Sequence, residues 1–111
     1  MQDFIVSYGV AQDPADAGGG GRLKRLTALL MTVFELGKTW HGSQSAIFLR
    51  SEQSIDEIAR RLAWLLSEPD FLLVMSLRDP PEVRYAGRLK DGETFHDLYP
   101  QAREVGLLTP Q

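Results

Sequence analysis

A run of glycines leads directly into a cluster of basic residues, and this combination can bind phosphate. Residues 18–21 are all glycine, and Arg22, Lys24 and Arg25 follow them at the start of a predicted helix. Backbone amides at a helix N-terminus bind phosphate groups, and nearby cations strengthen that binding. We therefore interpret the three basic residues as candidate nucleic-acid contacts. Repeated glycine more often forms a mobile segment than a fixed phosphate loop, so a flexible loop over residues 13–21 is the alternative.

Two adjacent arginines on a second predicted helix form another basic site. Arg60 and Arg61 lie on the polar side of that helix, where they can contact phosphate groups or an acidic partner. Charged residues on the polar side of a helix commonly face solvent, which is the alternative. The formal net charge of the chain is −3, so nucleic-acid binding needs a local basic patch. Both arginines are candidates for that patch.

A histidine lies close in sequence to two serines, in the segment that contains Trp40, His41, Ser43 and Ser45. A hydroxyl group activated by an imidazole is a nucleophile. Neighbouring residues on a strand point to opposite faces, however, and no acidic residue or glycine-flanked turn orients this histidine. The sequence therefore favours packing and hydrogen bonding over catalysis, and it predicts that Trp40 is a core or interface residue.

Residues that could bind a metal are sparse. The chain contains no cysteine, which removes disulfides, thiolate zinc sites and cysteine nucleophiles. His41 and His96 are far apart in the sequence, and such a pair is weak support for zinc. We predict neither a metal nor a cofactor.

The composition is typical of a globular domain. Of the 111 residues, 43% are hydrophobic and 24% are charged, which is enough to form a packed core. No basic leader precedes the first predicted strand, and the apolar run at residues 71–75 is far shorter than the roughly 20 residues that span a bilayer. With cysteine absent, we expect a cytoplasmic protein without membrane association.

Hydrophobic spacing predicts the elements of the first half of the chain. Alternating apolar residues predict a strand over residues 4–10. Apolar residues at spacings of three and four then predict a helix over residues 22–36 that ends at Gly37. The apolar stripe of this helix consists of Leu23, Leu26, Leu30, Val33 and Phe34. Two short strands are predicted between residues 38 and 50.

The second half of the chain contains a clear helix start. Ser54 is followed three residues later by Glu57, a capping box, and the helix ends before Pro69. Trp64 on this helix is expected to be buried. The continuous apolar run that begins at Phe71 predicts an inner strand. A further strand is predicted over residues 83–89, with a short helical segment after it.

This order of elements predicts an α+β fold, namely a ferredoxin-like βαββαβ two-layer sandwich with an extra C-terminal strand. One domain covers residues 1–111, with a C-terminal extension at residues 93–111. Two helices cover one face of the sheet, so the other face is available to a partner. We expect a homodimer whose interface includes Trp40, Tyr85 and Leu89, with the late strand available to the sheet edge of a neighbouring subunit.

Short segments spread over residues 4–89 resemble the SinR-like family, which is related to the CRISPR-associated dimeric subunit of the spacer-integration complex. These segments are Phe4-Ile5-Val6-Ser7-Tyr8, Leu36-Gly37, Trp40-His41 with Ser45, Phe48-Leu49, Ser54-Ile55-Asp56-Glu57-Ile58, Asp70-Phe71-Leu72-Leu73-Val74 and Tyr85-Ala86-Gly87-Arg88-Leu89. Their order and spacing carry the resemblance. It implies a dimeric ferredoxin-like domain that associates with nucleic acid.

One position departs from the related nuclease family. There, an aspartate after the tyrosine of the first strand helps to hold a divalent cation, whereas this chain has Gly9 after Tyr8. Glycine supplies no ligand atom, and a hard cation prefers carboxylate oxygens. Asp13 and Asp16 in the following loop are the alternative ligands. The sequence therefore favours a protein that is not an enzyme.

Three functions follow from these observations. The first is a non-catalytic, dimeric, nucleic-acid-associated accessory domain, which the resemblance implies. The second is a protein–protein interaction module of a defence or toxin–antitoxin system. The third is a metal-dependent nuclease that uses ligands other than position 9.

Overall fold

The computed structural model describes residues 1–11, 21–42 and 45–106. In these residues, six strands form a single sheet. The strands are β1 (Gln2–Gly9), β2 (Lys38–Trp40), β3 (Ala46–Ser51), β4 (Phe71–Ser76), β5 (Val83–Gly87) and β6 (Arg103–Glu104). The helices are α1 (Gly21–Leu36), α2 (Ile55–Ala63) and α3 (Gly92–Leu98). The predicted α+β class is therefore confirmed. The predicted loop at residues 13–21 lies almost entirely outside the described residues.

The strands lie in the order β2-β3-β1-β4-β5-β6. β1 pairs antiparallel with β3 on one side and with β4 on the other. β5 pairs antiparallel with β4, and β6 pairs parallel with β5. The sequence predicted one strand after β4, whereas the structure has two. β4 lies along one edge of β5, and β6 pairs with Arg84 and Tyr85 on the other edge. The late strand is therefore not a free edge, and the prediction that it is available to a neighbouring subunit is wrong.

Alternation along the strands places the core on the face that α1 and α2 cover. Phe4 and Val6 of β1 are fully buried there, opposite Leu49 and Ile47 of β3. The same face of β4 contributes further apolar side chains, which join residues of both helices in one cluster. No helix in the described residues is long and apolar enough to cross a membrane.

Helix α1 buries a different stripe from the one that the sequence predicted. The buried residues are Leu29, Val33 and Leu36, while Leu23 is 65% exposed and Phe34 is 54% exposed. Apolar residues occur on more than one side of this helix, so several stripes satisfy the spacing of three and four. Packing against the sheet selects one of them, and the spacing alone does not identify it.

The predicted start of α2 is confirmed, but its end differs from expectation. The Ser54 hydroxyl accepts a hydrogen bond from the Glu57 amide at 3.1 Å, as an N-cap does. Trp64 caps the other end and is 48% exposed, so the expectation that it is buried is wrong. It directly follows Ala63, the last residue of the helix.

Two glycines allow close approaches of the backbone. A Cβ atom at Gly37 would overlap the carbonyl oxygen of Arg50, so α1 can end against β3 only because position 37 has no side chain. Gly87 at the end of β5 has φ +85°, and a Cβ there would overlap the carbonyl oxygen of Asp70. Glycine adopts this left-handed conformation without the strain that a side chain causes.

Candidate functional site

Three strand ends meet at one end of the sheet. Gly9, the last residue of β1, lies opposite Phe71, the first residue of β4. Phe71 in turn lies opposite Gly87, the last residue of β5. The register therefore brings the residues that follow β1 and β5 together with those that precede β4.

A buried ion pair fixes this end of the sheet. The Asp70 carboxylate is fully buried, and Arg25 Nε lies 2.8 Å from Asp70 Oδ2. The same carboxylate accepts hydrogen bonds from the amides of Ala11 at 2.9 Å and Ser67 at 2.8 Å. Arg25 also donates to the carbonyl oxygen of Ala11. The pair therefore joins α1, the end of β1 and the approach to β4.

The basic residues predicted on α1 have different environments. The Arg25 side chain is 11% exposed and is held by Asp70, so contact with nucleic acid would require this pair to open. Arg22 is exposed, and its Nε donates to the carbonyl oxygen of Val10 at 2.8 Å, directly after β1. Lys24 is exposed on the helix. The role of these residues in phosphate binding remains a prediction.

A groove lies at the same end of the sheet and has a volume of about 420 Å³. Its lining residues are Gly9, Val10, Ala11, Pro69, Phe71, Arg88 and Lys90. The wall is mostly apolar, and the two cations are its charged members. Sequence reasoning did not select Arg88 or Lys90, because their proximity to β1 depends on the pairing of three strands.

The two arginines predicted on α2 pair with acidic residues. Arg60 contacts the Glu57 carboxylate in the same helix. Arg61 lies 3.8 Å from the Glu35 carboxylate of α1, so it links the two helices. Neither arginine is part of the groove lining. The structure therefore separates the basic residues of α2 from those at the end of β1.

The environment of Gly9 bears on the nuclease alternative. Gly9 is exposed at the end of β1 and has no ligand atom, while the nearby Asp70 carboxylate is occupied by Arg25 and two amides. Within residues 1–11, 21–42 and 45–106, no group of three histidine, aspartate or glutamate residues is placed to bind a metal ion. Asp13 and Asp16, the alternative ligands, lie outside these ranges.

Both histidines lie beside tyrosines. His41 Nε2 is 3.4 Å from the Tyr8 hydroxyl, and burial raises the pKa of that hydroxyl. Ser45 is exposed, and its carbonyl oxygen accepts a hydrogen bond from the Tyr8 amide. Ser43 lies outside the described residues. His96 Nε2 is 3.2 Å from the Tyr85 hydroxyl, so the two histidines are in separate parts of the molecule.

The sheet face opposite α1 and α2, which we call the open face, has an apolar centre. It is defined by Ile5, Phe48, Leu73 and Met75, all half-buried, with Ile5 in register between Phe48 and Met75. At its edge, Trp40 is 65% exposed, and its ring centroid lies 5.3 Å from that of Phe48. The open face therefore presents apolar side chains that a partner can cover.

The three predicted interface residues are not equivalent. Trp40 is exposed at the edge of the open face, and so it is not a core residue. Tyr85 packs against Phe95 of α3, with ring centroids 5.3 Å apart. Leu89 is half-buried beyond β5. Their place in a subunit interface remains a prediction.

Comparison with known proteins adds no family assignment to this geometry. No protein-family model matches the chain, and no curated protein or solved structure matches it either. The resemblance to the SinR-like family therefore remains a prediction carried by short sequence segments.

Proposed function

We propose that the protein is a dimeric, non-catalytic accessory domain that associates with nucleic acid through the β1 end of its sheet. The observation that carries this proposal is the groove beside Gly9, where Arg88 and Lys90 line a mostly apolar wall. Nucleic-acid binding needs local positive charge when the whole chain is acidic, and these cations supply it.

The charge balance around the groove supports an anionic ligand. Within the described residues, Arg88 and Lys90 form no ion pair. The Asp70 carboxylate is compensated by Arg25, and the exposed Asp91, which follows Lys90 in the chain, is not part of the groove lining. Arg22 is a further cation beside Val10. The positive charge of the groove is therefore available to phosphate groups.

The strand pairing supports a ferredoxin-like core for this domain. β1 lies between β3 and β4 and is antiparallel to both, and β2 pairs with β3. Helices α1 and α2 provide the two crossovers of a βαββαβ unit. On this proposal, β5, α3 and β6 extend the unit beyond β4.

The experiment that tests the function measures binding and cleavage together. Labelled single-stranded and double-stranded DNA and RNA are titrated with the protein at increasing salt, with magnesium or manganese and then with chelator. We expect binding that weakens as salt rises, because phosphate contacts release counterions, and no cleavage. Absence of binding at low salt would contradict the nucleic-acid function, and cleavage that chelator abolishes would contradict the non-catalytic part.

A protein–protein interaction module is the second candidate, and the open face favours it. The face combines half-buried Ile5, Phe48 and Met75 with exposed Trp40 and with Leu77, which is 50% exposed. A partner other than a second copy of the chain would form a stable complex that is largely insensitive to salt, because its buried centre would be apolar.

A further inference from the structure

The groove at the end of β1 combines two surfaces that a nucleotide requires. Val10, Pro69 and Phe71 supply apolar walls, and Arg88 and Lys90 supply positive charge. A nucleotide has a flat, largely apolar base joined to an anionic phosphate. A volume of about 420 Å³ lies within the range of pockets that bind small organic molecules.

Phe71 is placed to contact a base. It is half-buried at the start of β4, and its partner across the strand pair is Gly9, which has no side chain. A Cβ atom built at Gly9 meets no atom of the described residues within 4 Å, so these residues leave the space beside this pair open. The groove therefore owes part of its volume to the glycine at position 9.

The two cations, Arg88 and Lys90, lie beside that space and are available to an anion. The Arg88 amide donates to the carbonyl oxygen of Asp70 at 2.8 Å, which holds the chain after β5 against the start of β4. Arg88 and Lys90 both line the groove and form no ion pair within the described residues. An anion that enters the groove therefore does not have to displace a described carboxylate from either cation.

We infer that the groove binds an unpaired nucleotide of a single strand, with the base against Phe71 and the adjacent phosphates at Arg88 and Lys90. Aromatic residues beside a positively charged groove are the usual means of binding single strands, because every base can stack on an aromatic ring. Bases of an intact duplex are already stacked and paired, so they cannot enter. The inference rests on the proposed nucleic-acid function and specifies the form of nucleic acid.

The test measures fluorescence anisotropy of a short labelled oligothymidylate and of a labelled duplex, with the full chain, at several salt concentrations. The groove variants are Gly9→Leu, Phe71→Leu and the double variant Arg88→Gln/Lys90→Gln. Gly9→Leu fills the groove from a position where a Cβ meets no atom of the described residues within 4 Å, so the fold should be kept. Far-ultraviolet circular dichroism and thermal melting check each variant.

The control removes the same amount of charge from the other end of the sheet. Lys38 begins β2, opposite Arg50, and Arg78 follows β4, where it lies 3.4 Å from Glu82. Neither residue lines the groove. The double variant Lys38→Gln/Arg78→Gln thus matches the groove variant in net charge.

We expect Gly9→Leu and Phe71→Leu to weaken single-strand binding about 10-fold or more. The Arg88→Gln/Lys90→Gln variant should also lower the slope of log affinity against log salt by about 1.4, since each single-strand phosphate contact contributes about 0.7. The control should bind like the unaltered protein. Folded groove variants that bind the oligothymidylate normally would overturn the inference.

The remaining outcomes separate this inference from the function on which it rests. If duplex and single strand both bind and the groove variants affect neither, nucleic-acid association stands and the groove assignment is wrong. If neither probe binds at low salt, the proposed function fails, and the groove assignment fails with it. A preference for the single strand that is lost in Gly9→Leu would support both the proposed function and the groove assignment.

Discussion

Arg25 and Asp70 are 45 residues apart in the chain, and their side chains form an ion pair with 2.8 Å between Nε and Oδ2. Asp70 is fully buried and also receives two backbone amide hydrogen bonds. The contacts join the end of β1, the first turns of α1 and the start of β4. The pair therefore holds together the elements that form the groove.

Replacing Asp70→Asn should destabilise the protein by about 3 kcal/mol or more, because it removes a fully buried negative charge that pairs with Arg25 and accepts two backbone amide hydrogen bonds. Urea denaturation gives the free energy of unfolding. Asp3→Asn is the control, since it removes a carboxylate from the exposed Arg50–Asp3 pair and should have a much smaller effect. Equal losses in the two variants would show that the buried pair has no special role.

Gly87→Ala should destabilise the protein by about 2 kcal/mol or more. A side chain at φ +85° is strained, and the new Cβ would overlap the Asp70 carbonyl oxygen. Gly9→Ala is the matched control, because a Cβ at that position meets no atom within 4 Å in the part of the chain that the structure describes. Its free energy of unfolding should change by about 0.5 kcal/mol or less. A reversed order of the two effects would contradict the reason given for Gly87.

Local sequence patterns predicted most of the helices and strands. Contacts between residues that are distant in the sequence determined which side chains are buried. The Ser54 cap is contained in four consecutive residues, so the sequence was sufficient to find it. The buried side of α1 depends on the sheet beneath it, and the predicted stripe wrongly included Leu23 and Phe34. β6 has two residues and no hydrophobic pattern, so nothing in the sequence indicated it.

The candidate site was harder to predict, because its residues also come from distant parts of the sequence. Arg22, Lys24 and Arg25 were identified from their position after the glycine run, but the buried partner of Arg25 is 45 residues away. Arg88 and Lys90 reach the groove because β5 pairs with β4, which in turn pairs with β1. Their proximity to Gly9 is a property of the sheet, so no local motif encodes it.

The Asp56–Arg84 contact predicts a component of stability that depends on pH. The hydrogen bond from Arg84 to Asp56, 2.6 Å long, lowers the pKa of the Asp56 carboxyl below its ordinary value of 3.8. The stabilisation is therefore fully present above pH 3.8 and is lost as the pH falls through the lowered pKa of the folded state. Asp56→Asn should remove this component.

Urea denaturation over a series of pH values checks this pH-dependent component of stability. The difference in free energy of unfolding between the unaltered protein and Asp56→Asn should be largest near neutral pH and should shrink below pH 3.8. Asp97→Asn is the control, because Asp97 is exposed on α3 and forms no ion pair within the described residues. A constant difference for Asp56→Asn would contradict the linkage.

Ile5→Glu should dissociate the proposed homodimer. Ile5 lies at the centre of the open face, in register between Phe48 and Met75, so a carboxylate there would be buried without a partner if a second copy covered the face. Sedimentation velocity should show a dimer for the unaltered protein and a monomer for the variant, with unchanged circular dichroism. Thr27→Glu, on the exposed side of α1, should remain dimeric. A folded Ile5→Glu variant that is still a dimer would show that the dimer interface does not include the open face. A monomeric unaltered protein would contradict the proposed homodimer itself.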